Sequence, residues 1–295
     1  MAVPLRPAAA RSRPGQPPAL SIYREYQPDP TVTAAVACTW QAVAGWPRSI
    51  RLLPDGCLDL VWDGQHARAV RPAARPVRRV VGETAMVTGI RIRAGWAAAV
   101  LGMPARDLPY VAGLGDMWGS ASAGRLETAL AAAATPAECR DVLTAAVARR
   151  LADSNGPHAA VLAAVSLLAE PTSAAGDAAR RVGLSPRQMR RLFEDHVGLP
   201  PKTLQTILRF QRFRAWLAVS GQAQIPLGRA AAECGYFDHA HLCRDCARLA
   251  GVTPSTLVHA SPETDAAAHT TTSARSCEPS VRAMTNLVEL RDSNP

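Results

Sequence analysis

The first third of the chain alternates apolar and polar positions, and a period of two predicts β-strands. Leu58, Leu60 and Trp62 would share one face of a strand that begins just after the turn signature Pro-Asp-Gly at 54–56. Asp-Gly at 63–64 marks the next turn. The pattern from Ser21 to Arg93 therefore predicts a mostly β region.

Two later strands are predicted at 78–82 and 86–93. In the second, apolar and charged residues alternate, which is expected of a strand with one face in solvent. The alternating residues are Ile90, Arg91, Ile92 and Arg93. We expect the arginine face to be the exposed one.

Beyond Gly95 the spacing of apolar residues becomes helical. Helices are predicted at 96–101, 125–134, 136–151 and 158–168, with a connector at 114–118. The sequence Asp-Ser-Asn-Gly-Pro at 153–157 breaks this pattern with turn-forming residues. We place a domain boundary there. A further long helix is predicted at 204–218, where Gln211 is a polar exception on the apolar face.

One helical pattern occurs twice between residues 174 and 257. Each copy has an Ala-rich helix, a glycine at a turn (Gly183 or Gly235), a capping residue (Ser185 or Asp238) and a second helix. Glycine adopts positive φ at no steric cost, and Ser or Asp accepts backbone N–H bonds at a helix start. This is the layout of a helix-turn-helix unit. The two predicted units span about 174–195 and 226–249.

The tandem spacing and the sequences Gly-Leu-Ser-Pro-Arg at 183–187 and Gly-Val-Thr-Pro-Ser at 251–255 resemble the AraC/XylS family of bacterial transcription regulators. The resemblance covers about 159–258. It implies two DNA-binding units held at a fixed separation by the helix at 204–218. The sequence Leu-Pro-Asp-Gly-Cys-Leu-Asp-Leu at 53–60 resembles an N-terminal domain often fused to this module, which implies sensing or self-association.

The second helix of the first unit has an apolar face and a basic face. Met189, Leu192 and Phe193 lie at helical spacing and should face the core. An arginine can bond the O6 and N7 atoms of guanine together, which discriminates by about 1–3 kcal/mol. The resemblance therefore implies DNA contact by the residues of the opposite face, which are Arg187, Gln188, Arg190 and Arg191.

The matching face of the second unit carries less charge. Leu242, Cys246 and Leu249 should point inward, and the family usually has an aromatic residue where Cys246 stands. The residues predicted to face DNA are His239, Ala240, Cys243 and Arg244. Ala240 can offer only an apolar contact, for instance to a thymine methyl group. We expect the first unit to supply most of the specificity and the second to position the protein.

Composition supports a nucleic-acid partner. The formal charge is +9, and residues 159–260 hold 12 basic and 7 acidic residues. A basic balance of this kind suits DNA. Seven scattered cysteines argue against a disulfide framework, and no long apolar run predicts a membrane span. Together with the absence of a signal-peptide pattern at the N-terminus, this predicts a cytoplasmic protein.

The residues suggest three other chemistries. A metal could be held by residues chosen from Cys234, His239, His241, Cys243 and Cys246, but core positions for Cys234 and Cys246 argue against it. Cys57 could be a reactive thiol, although no neighbour in sequence supports its activation. Four tryptophans could line a ligand pocket, while core packing is the better interpretation: Trp40, Trp46, Trp62 and Trp96.

The sequence thus predicts an α+β protein: an N-terminal β-rich domain with helices, then an all-α module of two helix-turn-helix units joined by a linker helix. The predicted domains are a disordered stretch at 1–20, a sensing or dimerising domain at 21–155, a DNA-binding domain at 156–260 and a flexible tail at 261–295, with a short helix considered at 281–291.

The predicted function is sequence-specific regulation of transcription, without enzymatic activity and without a cofactor or metal. The alternatives are a thiol-based sensor or repair protein that uses Cys57, and a non-specific nucleoid-type DNA binder. Double-stranded DNA is the predicted partner. RNA polymerase, an unidentified small-molecule effector and a second copy of the chain are further candidates, and no membrane is expected.

Overall fold

A computed structural model of the protein describes residues 22–44, 48–82, 86–220, 226–259 and 287–288. Its strands are Ile22–Tyr26 (β1), Val36–Val43 (β2), Arg48–Leu52 (β3), Leu58–Trp62 (β4), Ala67–Val70 (β5), Val77–Val81 (β6), Met86–Ile92 (β7), Val111–Gly113 (β8) and Leu287–Val288 (β9). Its helices are Ala97–Leu101 (α1), Gly115–Trp118 (α2), Ser120–Ala132 (α3), Pro136–Ala152 (α4), Ala159–Ala169 (α5), Ala175–Arg181 (α6), Pro186–His196 (α7), Pro201–Ser220 (α8), Leu227–Glu233 (α9), His239–Ala250 (α10) and Pro254–His259 (α11), with a 3₁₀ helix at Ala105–Asp107.

The strands form two antiparallel sheets. The larger has the order β1-β2-β7-β4-β5-β8, and the smaller has the order β6-β3-β9. Helices α5 to α11 follow, and the described residues between 159 and 259 contain no strand. The predicted fold class is confirmed: a β-rich region with helices precedes a helical module.

One face of the larger sheet forms a hydrophobic core with α1, α3 and α4. Leu58, Leu60 and Trp62 are all buried in it, as their period of two predicts. Leu60 pairs with Ile90 across β4 and β7, so the apolar residues of adjacent strands lie on the same face. Trp62 and the partly buried Trp96 belong to this core, which favours the packing interpretation for these two tryptophans.

On the opposite face of the sheet, the predicted exposure of Arg91 is wrong. Arg91 is buried, with 8% of its surface exposed, because three carboxylates surround its guanidinium. Its distances are 2.9 Å to Glu25, 3.1 Å to Asp55 and 3.2 Å to Asp59. Burial of an arginine is tolerated when its charge is paired and hydrogen-bonded. The alternation of charge in β7 therefore marks a buried ion cluster and not a solvent-facing strand, and only Arg93 is exposed.

A second hydrophobic core lies in the helical module and is centred on α8. Leu204, Ile207, Phe210 and Phe213 are fully buried in it. Leu53 also belongs to this core, so the end of the small sheet contacts the helical module.

Some predicted elements differ from the structure. The predicted connector at 114–118 contains helix α2, and α3 begins at Ser120 instead of 125. Leu287 and Val288 pair with Leu52 and Arg51 of β3, so the helix considered at 281–291 is wrong at these two positions. The predicted disordered stretch at 1–20, Trp46 and the rest of the tail at 261–295 lie outside the described residues.

Candidate nucleic-acid interface

The first helix-turn-helix unit consists of α6 and α7. Gly183 has φ of +70° at the turn, a conformation that favours glycine. Ser185 then caps α7: its Oγ accepts the Gln188 N–H at 3.3 Å, and its own N–H donates to Gln188 Oε1 at 2.9 Å. This capping box satisfies two backbone donors that a helix start would leave unpaired. Met189 and Phe193 are buried below it, as predicted.

The predicted DNA-facing residues of α7 all lie on its exposed side. Arg187 and Arg191 are exposed. Arg190 is also exposed, and its Nε lies 2.9 Å from Glu194 Oε1 one turn later. Gln188 is exposed but uses its Oε1 in the capping box. Arg190 is thus paired with a carboxylate of its own helix, and Arg187 and Arg191 are the other two exposed arginines of this face.

The second unit consists of α9 and α10. Gly235 has φ of +80°, and a Cβ built there would lie 2.4 Å from the carbonyl oxygen of Pro171, so this turn requires glycine for two reasons. Asp238 caps α10 by accepting the His241 N–H at 2.6 Å. Leu242 and Cys246 are fully buried, as predicted.

The outer face of α10 carries the four residues predicted there. His239, Ala240 and Arg244 are exposed, and Cys243 is half-buried. Cys243 Sγ lies 3.6 Å from His239 Nε2. This face carries one arginine, Arg244, whereas the outer face of α7 carries three.

Polar side chains of α8 contact the second unit and α5, and the sequence interpretation missed them. Arg209 Nη1 lies 2.8 Å from His241 Nε2, and because arginine can only donate, this ring nitrogen accepts. Arg212 donates to the carbonyl oxygens of Cys234, at 2.8 Å, and of Ala169. A weak signal for them was available, because Arg209 and Arg212 are three residues apart in the predicted helix at 204–218 and so lie on one face of it.

The helical module also contacts the β-rich region away from the basic face of α7. Arg106 of the 3₁₀ helix lies 2.9 Å from Asp195 in the last turn of α7. Arg51 of β3 donates to the carbonyl oxygen of Ala250 at 2.6 Å, at the C-terminal end of α10. Both contacts involve the C-terminal ends of the second helices. They leave the first turns of α7 and α10, where Arg187 and His239 lie, exposed.

The ion cluster of the larger sheet extends to α8. Gln211 donates to the carbonyl oxygen of Pro54 and accepts a bond from Arg214 at 3.0 Å. Burial lowers the pKa of Arg214 to about 10, and the nearby charge of Asp55 opposes this shift. Burial raises the pKa of Asp55 to about 6, which Arg91 opposes and Asp59 reinforces. Gln211, the polar exception on the apolar face of α8, thus forms a contact between the helical module and the β-rich region.

The alternatives based on cysteine chemistry find little support. Burial raises the pKa of the Cys57 thiol well above its ordinary value, and the charge of Asp55 raises it further. A thiolate is the nucleophilic form, so this environment works against reactivity. Within the described residues, no three His, Cys, Asp or Glu side chains come together as a metal site. Cys234 and Cys246 are buried in the helical core instead.

The helical module is similar to a known protein family. Residues 178–260 match a family model described as a helix-turn-helix domain. The C-terminal domain is an AraC-type helix-turn-helix domain. Such a domain supports a DNA-binding regulator of transcription. Residues 24–109 match a second family model, described as a domain of unknown function.

No curated protein is significantly similar to this chain in sequence. Among solved structures, ToxT from Vibrio cholerae O395 is 8% identical with a TM-score of 0.40, covering 80% of this chain and 97% of its own. Unsaturated fatty acid-bound ToxT from Vibrio cholerae strain SCE256 is also 8% identical with a TM-score of 0.40, covering 82% and 96%. These scores are too low to transfer any property of ToxT. None of the helices within the described ranges has the length and apolar character needed to span a bilayer.

Proposed function

We propose that the protein is a sequence-specific regulator of transcription that places α7 and α10 in successive segments of the DNA major groove. The observation that carries the proposal is the exposed arginine face of α7, with Arg187 and Arg191, above the buried Met189 and Phe193. Recognition helices contact base edges through their N-terminal residues. Both arginines lie in the first two turns of α7.

The two units would contribute differently. Arg187, Arg190 and Arg191 are the candidates for guanine or phosphate contacts, with Gln188 beside them. On α10, Arg244 and His239 would contact the backbone, while Ala240 and Cys243 would meet apolar base edges. Because α8 packs against both units, their separation should be fixed at about one helical turn of DNA, or about 34 Å.

The remaining assignments complete the proposal. The region 21–155 would sense a small-molecule effector or mediate self-association, and the region 156–260 would bind DNA. RNA polymerase and a second copy of the chain are the protein partners we expect. The protein would act in the cytoplasm and catalyse no reaction.

Selection of bound sequences from a random pool of DNA duplexes, with the full chain, tests the proposal. We expect enrichment of two short elements about one helical turn apart. Affinity for the selected duplex should exceed that for a scrambled duplex by at least about a thousandfold. Affinity for both should fall steeply with salt, because phosphate contacts release counterions. Equal affinity for all sequences would indicate a nucleoid-type binder instead.

A further inference from the structure

The turn of the second helix-turn-helix unit is one residue longer than that of the first. In both units the residue after the turn glycine donates its N–H to the carbonyl oxygen of a buried alanine in the first helix. Leu184 donates to Ala179 in the first unit, and Tyr236 donates to Ala231 in the second. In the first unit, the capping residue follows at once. In the second, Phe237 stands between Tyr236 and the capping residue Asp238.

This additional residue carries the most exposed of the large apolar side chains that the structure describes. Phe237 is 93% exposed, whereas the preceding Tyr236 is 5% exposed and packs in the core. The backbone on both sides of Phe237 is held in place, because the Tyr236 N–H donates to the carbonyl oxygen of Ala231 at 2.9 Å and Asp238 caps the helix. The phenyl ring is thus presented to solvent from an anchored backbone position beside the first turn of α10.

We propose that Phe237 is a specificity-determining residue that contacts the 5-methyl group of a thymine in the DNA segment facing α10. The proposal rests on the proposed function, since it requires α10 to enter the major groove. A recognition helix meets base edges with its N-terminal end, and Phe237 directly precedes that end. Phenylalanine forms no hydrogen bond with a base, and the thymine methyl is the apolar group that the major groove offers.

The neighbouring residues fit apolar recognition better than charged recognition. Ala240 lies one turn beyond Phe237 and is also exposed, so the two form a small apolar surface at the start of α10. The first unit has Ser185 and Pro186 at the start of its helix and arginines at 187, 190 and 191. The two units would therefore read different chemistry: guanine through arginine in the first and thymine through apolar contact in the second.

The test uses the duplex that the full chain selects from a random pool. Each thymine is replaced in turn by deoxyuridine, which removes only the 5-methyl group, and affinities are measured for the unmodified chain and for Phe237→Ala. For the unmodified chain, one or two replacements in the α10 half of the site should weaken binding about fourfold, as expected for one buried methyl group. For Phe237→Ala, binding should be about tenfold weaker, and those replacements should have no further effect.

Val80→Ala is the matched control, because Val80 is 79% exposed on β6 in the other region of the chain. It should keep both the affinity and the sensitivity to deoxyuridine, and both variants should unfold at the same temperature as the unmodified chain. Sensitivity to deoxyuridine that survives in Phe237→Ala would overturn the inference while leaving sequence-specific binding intact. An equal loss of affinity for the selected and scrambled duplexes would also overturn it, since a phosphate or partner contact would then explain the exposed ring. If the unmodified chain selects no sequence, the proposed function itself fails.

Discussion

Among single residues, Arg191 offers the clearest test of how the first unit reads DNA. It is exposed on α7, one turn beyond the residues that form the capping box. We expect Arg191→Ala to reduce discrimination between the selected site and single-base variants about fivefold to a hundredfold, corresponding to about 1–3 kcal/mol for a guanine contact. Competition binding at fixed salt measures this.

The control is Arg149→Ala, which removes an exposed arginine from α4. It should leave discrimination unchanged. If Arg191→Ala weakens binding to every sequence alike and lowers the salt dependence, Arg191 contacts a phosphate and not a base.

The two turn glycines allow a matched comparison of backbone strain. Gly183 and Gly235 both have positive φ, so alanine at either should cost about 1–2 kcal/mol of unfolding free energy. At Gly183 a Cβ would meet nothing within 4 Å, but at Gly235 it would lie 2.4 Å from the backbone of Pro171. Gly235→Ala should therefore cost about 1–3 kcal/mol more than Gly183→Ala. Urea unfolding of both variants compares them, and equal losses would contradict this explanation.

The sequence was a good guide to residues that obey one local pattern. Met189, Phe193 and Leu242 are buried because helical spacing puts them on one face, and this could be read directly. The burial of Arg91 could not be predicted from a local pattern. Its burial depends on Glu25 and Asp55, which are distant in the chain and come together only when β1 and β4 join the sheet.

At the level of elements, the start of α7 depends on its capping box. Ser185→Ala removes the acceptor for the Gln188 N–H and should cost about 0.5–2 kcal/mol of unfolding free energy. DNA affinity should fall with it, because the first turn of α7 carries Arg187 and Gln188. Ser166→Ala, at an exposed position of α5, is the control and should change neither quantity measurably. A Ser185→Ala variant as stable as the unmodified chain would show that the cap contributes little.

For helix α8, the sequence predicted the element but not its tertiary contact. Its apolar spacing predicted a helix at 204–218, and the structure extends it to Pro201–Ser220. The polar exception at Gln211 had no explanation in the sequence, because its partner is the carbonyl oxygen of Pro54, 157 residues away. Tertiary contacts between regions are not encoded in local periodicity, so the interface could be found only from the coordinates.

On the scale of the whole molecule, the ion cluster between the larger sheet and α8 contains more carboxylates than arginines. Glu25, Asp55 and Asp59 surround Arg91, and Arg214 approaches from α8. Burial of this unequal set raises the pKa of Asp55 to about 6 from its ordinary value of 3.8. The folded protein therefore holds a proton on Asp55 more tightly than the unfolded chain does.

This shift determines the sign of a pH effect on stability. The contribution of Asp55 is fully present below its unfolded pKa of 3.8 and is lost as pH rises through about 6. His196 acts in the opposite direction, because burial and the nearby His158 lower its pKa, so its contribution is lost as pH falls. The pH profile of the unmodified chain alone would mix the two effects.

The variant Asp55→Asn separates them, because it keeps an oxygen that can accept the Cys57 N–H bond, now 2.9 Å long, and removes the titrating group. We expect the unfolding free energy of the unmodified chain, relative to Asp55→Asn, to decrease as pH rises from about 4 to about 7. His196 cancels in this difference, since both proteins contain it. Urea unfolding at a series of pH values measures it. A difference that is constant with pH, or that increases, would mean that Asp55 is ionised across the range and that the carboxylate excess is balanced by Arg91 and Arg214. A decrease would show that the carboxylate cluster between β4 and α8 takes up a proton when the chain folds.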